Sequence, residues 1–397
     1  MRRCFAAATA LTGFAAQART TLARTTLART TLALLTLALL TLALPAAAQT
    51  AIRPFDLTGD TDRLLGDPAF LPLRGQLEGS ASETYNVDHY NYEPGNTLGD
   101  PFYYDYHESA HITGNDIAGA LAYGITDDLT LGASLGWENR FTSSAYSYEA
   151  FQFGSCPGLL FFCQRKVSGI DKFHRIGSDN PDFSLTWRAV DQRAAPVNFD
   201  VSASYAPDLL TARDGNAFGT TGTHAAGGQA AGLRGAVSRE MRALTVLAYG
   251  EFDYHGRQDI LQPAGGGVLH DAPHPSYQAG VQLQIRVLPV VALNTGFNYA
   301  WSAHFHSQVG YGDDDIPVRT LNESAGTISP YAGLLFPIWG RRLVGELAYQ
   351  HDFVGTAKSV TPNIVPALFT TTSPSETNKY VNQDDDLYTA RIRFLFF

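Results

Sequence analysis

Two histidines one residue apart, His304 and His306 in "HFH", have the spacing in this chain that comes nearest to a metal site. On a strand they share one face, and with a third ligand they would suit a transition metal. No third ligand accompanies them in sequence, so they are weak candidates beside the plainer reading of histidines in exposed loops. The acidic runs Asp313–Asp315 and Asp384–Asp386 carry the hard oxygens a divalent cation prefers, and equally the makeup of solvated loop charge. His351 is an outward-facing base in search of a nucleophile: no serine shares its frame on the same apolar run, so no catalytic set is assembled and neither an enzyme nor a cofactor is expected. Cys156 and Cys163 in "SCPGLLFFCQ" are spaced for a disulfide closing a small loop in an oxidising compartment. A structural zinc site would need a companion pair.

A larger set of polar and charged side chains recurs at every second residue. Arg188, Arg234, Arg286, Arg391 and Arg393, with Asp116, Glu138, Asp182, Asp200, Glu251, Asp253, Asn294, Asn298 and Glu346, each alternate with apolar or small neighbours. Strict alternation marks strands whose two faces meet different environments. In "IAGALAYGITDDLTLGASLGW", Leu121, Tyr123, Leu131 and Leu135 lie on one face, while Ala118, Ala120, Thr130 and Ser134 lie on the other. The three polar residues between the two runs make a tight hairpin. Four further hairpins follow, turning at "DQRAAP", "REMR", "LP" and "PIWGRR".

The chain opens with what must be set aside before a fold is argued. Arg2 and Arg3, and arginines at 19, 24 and 29, precede an apolar run from Leu32 to Leu44 that closes on Pro45-Ala46-Ala47-Ala48. This is the order of a secretory signal, lengthened by repeats of "ARTTL", with cleavage expected after Ala48. Removing those 48 of the 397 residues leaves 349. It takes away five arginines and no acid, so the formal charge moves from −10 to −15. Such acidity argues against a nucleic-acid partner. Beyond Ala48 no apolar run approaches the roughly 20 residues of a membrane helix, yet the chain holds 19 Tyr, 23 Phe and 37 Gly.

Short turns alternate with long polar segments, approximately 94–113, 142–180, 207–227, 256–276, 303–326 and 354–385. That asymmetry belongs to outer-membrane barrels, and a secreted sandwich gives no reason for it. Trp137, Tyr205, Tyr254, Tyr299, Trp301 and Tyr349 stand where runs enter long segments, whereas Tyr123, Trp187 and Phe336 stand near short turns. Two such belts are what membrane interfaces select. A weaker strand near Tyr85–Tyr92 and a last one at Leu387–Phe396 bring the count to twelve. In the last strand Tyr388, Ala390, Ile392, Phe394 and Phe396 are set outward, because the opposite frame would put Arg391 and Arg393 in lipid at about 2–4 kcal/mol each near the midplane.

The expected organisation is therefore a signal over 1–48, a periplasmic or lumen-plugging extension over 49–83, and an antiparallel up-and-down barrel over 84–397. The runs "YGITDDLTLGASLGW", "DNPDFSLTWRAV…VNFDVSASYAPD" and "DDDLYTARIRFLFF" resemble outer-membrane barrels of the MetA-pathway phenol-degradation family across residues 114 to 397. The resemblance implies transport of hydrophobic or aromatic small molecules and brings no catalytic residues. The expected partners are outer-membrane lipid, the barrel-assembly machinery during insertion, and a small-molecule solute. The alternatives are a non-conducting structural or adhesive barrel and, further off, a lipid hydrolase.

Overall fold

The computed structural model describes residues 68–93, 103–153, 162–209, 212–213, 218–223, 228–241, 243–261, 268–288, 291–310, 318–339, 342–362 and 375–396. The expected signal and its cleavage point lie outside the described residues. In chain order the strands are β1 (Leu77–Glu93), β2 (Tyr103–Gly124), β3 (Leu129–Phe153), β4 (Phe162–Ser178), β5 (Asp182–Val190), β6 (Asn198–Ala206), β7 (Ala212–Arg213), β8 (Phe218–Thr223), β9 (Ala230–Glu240) and β10 (Leu244–His255). They continue as β11 (Gln258–Leu261), β12 (Val268–Asp271), β13 (His274–Leu288), β14 (Val291–Ser302), β15 (Phe305–Gly310), β16 (Val318–Asn322), β17 (Ala325–Trp339), β18 (Leu343–Val354), β19 (Ala357–Pro362) and β20 (Ser375–Phe396).

Twelve of these strands close a ring, each antiparallel to its neighbours: β1, β2, β3, β5, β6, β9, β10, β13, β14, β17, β18 and β20. The first and last strands seal it, from Leu77 opposite Phe396 to Glu93 opposite Lys379. Closure leaves no sheet edge in the wall, the condition for β-structure to cross a bilayer. The remaining strands carry the wall upward on the long-loop side; β4, for example, extends the pairing of β3 from Trp137 to Phe153.

The alternation has a physical outcome in the packing. Leu121 is 52% exposed and Leu131, opposite Tyr123 in register, 49%, on the outside of the barrel, where water would make such a surface costly and lipid would not. Leu135, Leu185, Leu233, Phe297, Leu334, Leu347 and Ile392 present the same apolar exterior on other strands. Tyr123 and Trp187 stand at the short-turn end, and Tyr205, Tyr254 and Tyr299 at the other. A closed barrel with this exterior is an outer-membrane protein.

Strand lengths depart from the sequence expectation. β3 runs for 25 residues and β2 for 22, so much of 94–113 and 142–180, expected as loop, is strand. Above the membrane neither face of a strand meets lipid. Alternation is then no longer selected, and stretches such as "TSSAYSY" lose the period that would identify them. β1 begins at Leu77, so residues 77–83, assigned to the extension, belong to the barrel wall.

Ahead of β1 the chain folds into the short-turn end of the ring. Gly75 takes a φ of +80°, and its N–H donates to the Gly124 carbonyl at 2.8 Å. A Cβ at Gly124 would collide with the Leu73 carbonyl, so glycine is required for this approach. Ala69 and Pro72 are buried, and Phe70 packs on Ala292, Leu335 and Val344, with Leu395 beside them.

Candidate functional site: the barrel interior

Side chains opposite the apolar exterior form two charged tiers. The tier near the short turns is paired. On β5, Arg188 grips Asp200 of β6 twice, Nε to Oδ1 at 2.9 Å and Nη2 to Oδ2 at 3.1 Å, and Nη2 also donates to the Ala69 carbonyl at 2.6 Å. Glu346 on β18 receives Asn294 Nδ2 of β14 at 2.9 Å and Arg391 Nη1 of β20 at 3.3 Å. Asn294 in turn accepts Gln282 Nε2 at 2.9 Å. Arg393 reaches Glu78 of β1 at 2.7 Å, and so bridges the strands that close the ring. Arg286, on β13, lies across from Ala292 at the same end.

The tier toward the long loops is acidic. Arg140 Nη2 meets Asp116 Oδ2 at 3.0 Å, and its Nε meets Glu138 Oε2 at 3.3 Å. Asn86 Nδ2 donates to the same Asp116 oxygen at 2.9 Å. Across the ring, Arg234 lies 4.2 Å over the Tyr249 ring, whose hydroxyl donates to Asn298 Oδ1 at 3.0 Å. Glu251 on β10 is opposite Arg234 in register, and Asp253 follows on the same face. Asp88, Asp385 and Asp352 lie side by side on β1, β20 and β18, one row further from the short turns.

This interior is not a dry core. Arg391 remains 43% accessible although it points inward, and Arg140 and Asp116 are 33% and 32% accessible. Asn86 Oδ1, Asp116 Oδ1, Gln284 Oε1 and Asp385 Oδ1 find no partner within the protein. Buried polar atoms in folded proteins are rarely left that way, and a bridging water is their usual partner.

The sequence did not single out several members of this interior. Glu78 was missed because it precedes the residues where periodicity becomes readable. Arg140 stands two residues beyond Glu138 on the same parity, and carrying the alternation past Trp137 would have found it. His351 acquires a partner: its Nδ1 lies 2.7 Å from Asp386 Oδ1, which also accepts the Tyr349 hydroxyl at 2.6 Å. Among the described residues no serine hydroxyl hydrogen-bonds His351, so a base and its orienting group stand on the outer face without a nucleophile.

His304 lies between β14 and β15 and His306 within β15. Among the described residues no group of three His, Cys, Asp or Glu is placed to hold a metal, these two included. Cys163 follows Phe162, the first residue of β4, but Cys156 lies outside the described residues, and with it the expected disulfide.

No protein-family model matches the chain, and no curated protein matches it. Among solved structures it is similar to an outer-membrane channel from Pseudomonas putida F1, at 15% identity over 82% of this chain and 97% of that one, with a TM-score of 0.43. The Ralstonia pickettii toluene transporter TbuX aligns at 14% identity over 81% of this chain and 90% of its own, with a TM-score of 0.33. The outer membrane protease OmpT from Escherichia coli aligns at 8% identity over 81% and 97%, with a TM-score of 0.34.

Proposed function

We propose that this barrel is an outer-membrane channel for small molecules, with the interior charges setting what passes. The hydrated interior carries the reading: charged side chains inside the ring stay accessible, and several buried polar oxygens lack any protein partner. A barrel that only anchored loops or braced the envelope would gain by packing its interior with apolar side chains or with fully paired charges. The solute class suggested by the family resemblance is hydrophobic or aromatic. Leu335 and Val344 at the short-turn end are covered by the inserted Phe70, and would meet such a solute once that segment withdraws.

The same insertion supports a second reading, in which the resting barrel is closed and non-conducting. Planar-bilayer recording of the refolded protein separates the two, with and without the residues preceding Leu77. Current in either form supports the channel. Silence in both overturns it.

A further inference from the structure

The stacked histidines on the outer face of the first hairpin are not used by any interior pathway. His89 of β1 and His111 of β2 are direct cross-strand partners. Their rings stack with centroids 4.4 Å apart at 26°, and their Nδ1 atoms lie 3.1 Å from each other. Both are exposed. Tyr85, Tyr388 and Tyr349 form one outward row across β1, β20 and β18, at the level of the aromatic belt. His89 follows Tyr85 by four residues, which at about 3.3 Å per residue sets the pair roughly 13 Å along the strand, on the water side of that row.

A single proton between the two nitrogens satisfies this geometry as a hydrogen bond. With Nδ1 unprotonated on both rings, each lone pair lies in its own ring plane, and rotation of these exposed rings out of the stack turns both toward one metal. Metal–nitrogen bonds of about 2.0–2.1 Å put neighbouring ligand atoms roughly 2.9 Å apart at a right angle and about 3.3 Å apart at a tetrahedral one. The observed separation falls between these values. Asp384 is the register partner of His89 on β20 and adds negative charge to the same face.

We propose that His89 and His111 form a two-histidine site for a divalent transition metal, Cu²⁺ or Zn²⁺, on the outer face of the barrel above the membrane. Among the described residues no third protein ligand completes it, so water fills the remaining positions and the metal exchanges readily. Bound there, the metal ties β1 to β2 next to the seam where β1 meets β20.

The test is titration of the refolded full-length chain in detergent with Cu²⁺ alone, by calorimetry and electron paramagnetic resonance. Saturable binding with a two-nitrogen signal is expected, weakened on the order of 10- to 100-fold in H89A and in H111A and unchanged in an H304A/H306A control. Heat-modified gel mobility checks that each variant is folded, since both side chains are exposed and outside the wall's packing. Absence of saturable binding, or binding that the folded H89A/H111A double variant retains, overturns the proposal.

Discussion

Arg188 and Asp200 form a bidentate pair across β5 and β6, and the arginine side chain is 1% accessible. The same guanidinium holds the Ala69 carbonyl, so one residue fastens both the wall and the segment that enters the ring. Removing one partner of a buried pair strands the other charge, at a cost of about 3–5 kcal/mol. R188A is therefore expected to lose stability of that order in urea unfolding from lipid vesicles. R188M/D200L, which removes both charges, should lose much less. Single-channel recording adds a second readout: with the Ala69 anchor gone, R188A should conduct more than the parent.

The distribution of interior charge predicts ion preference. Near the short turns Arg188, Arg391 and Arg393 are matched by Asp200, Glu346 and Glu78, whereas toward the long loops Asp88, Asp116, Glu251, Asp253, Asp352 and Asp385 outnumber Arg140 and Arg234. A cleft lined by one sign of charge concentrates the opposite sign. Reversal potentials in a potassium chloride gradient should show cation preference. D88N/D385N should reduce it while leaving the fold intact, and an anion-selective parent would contradict the assignment.

The two faces of each strand predict opposite responses to the same substitution. Ile392 is 45% exposed in the lipid-facing band, midway between the outward Tyr388 and Phe396 of β20, and Arg393 beside it turns inward to Glu78. I392R should cost about 2–4 kcal/mol in vesicle-refolding equilibria. An arginine at Glu251, on an inner face already open to water, should cost far less and appear instead as altered selectivity. Equal penalties at the two positions would reverse the assignment of inside and outside.

What the sequence discloses follows from where the two faces of a strand differ. Between Leu129 and Trp137 one face meets lipid and the other a polar interior, so period and frame are readable residue by residue. In the last strand the cost of lipid-facing arginine chose the frame, and the structure pairs Arg391 with Glu346 and Arg393 with Glu78. From Thr142 to Ser147 neither face meets lipid and the residues on both are small, hydroxylated or aromatic, so no period remains to show that the strand continues. The run "PAFLPLRG" before β1 has no period either. Its insertion depends on Gly75 adopting a positive φ, on the space at Gly124 and on the reach of Arg188, relations between residues far apart in sequence. The His89–His111 pair needed a register between β1 and β2 that a single strand pattern does not contain.

The turn between β5 and β6 gives a pH prediction on the side of the short turns, outside the membrane. Hydrogen bonds from Arg193, Nε at 2.9 Å and Nη2 at 2.7 Å, hold the Asp191 carboxyl at about 2, below its usual 3.8. A carboxyl with a depressed folded-state value stabilises the fold above its unfolded value, near 3.9, and loses that contribution as pH falls toward about 2. Arg193 is 74% accessible, so screening limits the pair to at most about 1 kcal/mol. D191N should therefore unfold slightly more easily than the parent at pH 7 and equally at pH 2, when both are measured in the same urea series. A difference that persists undiminished at pH 2 would mean that Asp191 acts through its backbone turn rather than through its charge.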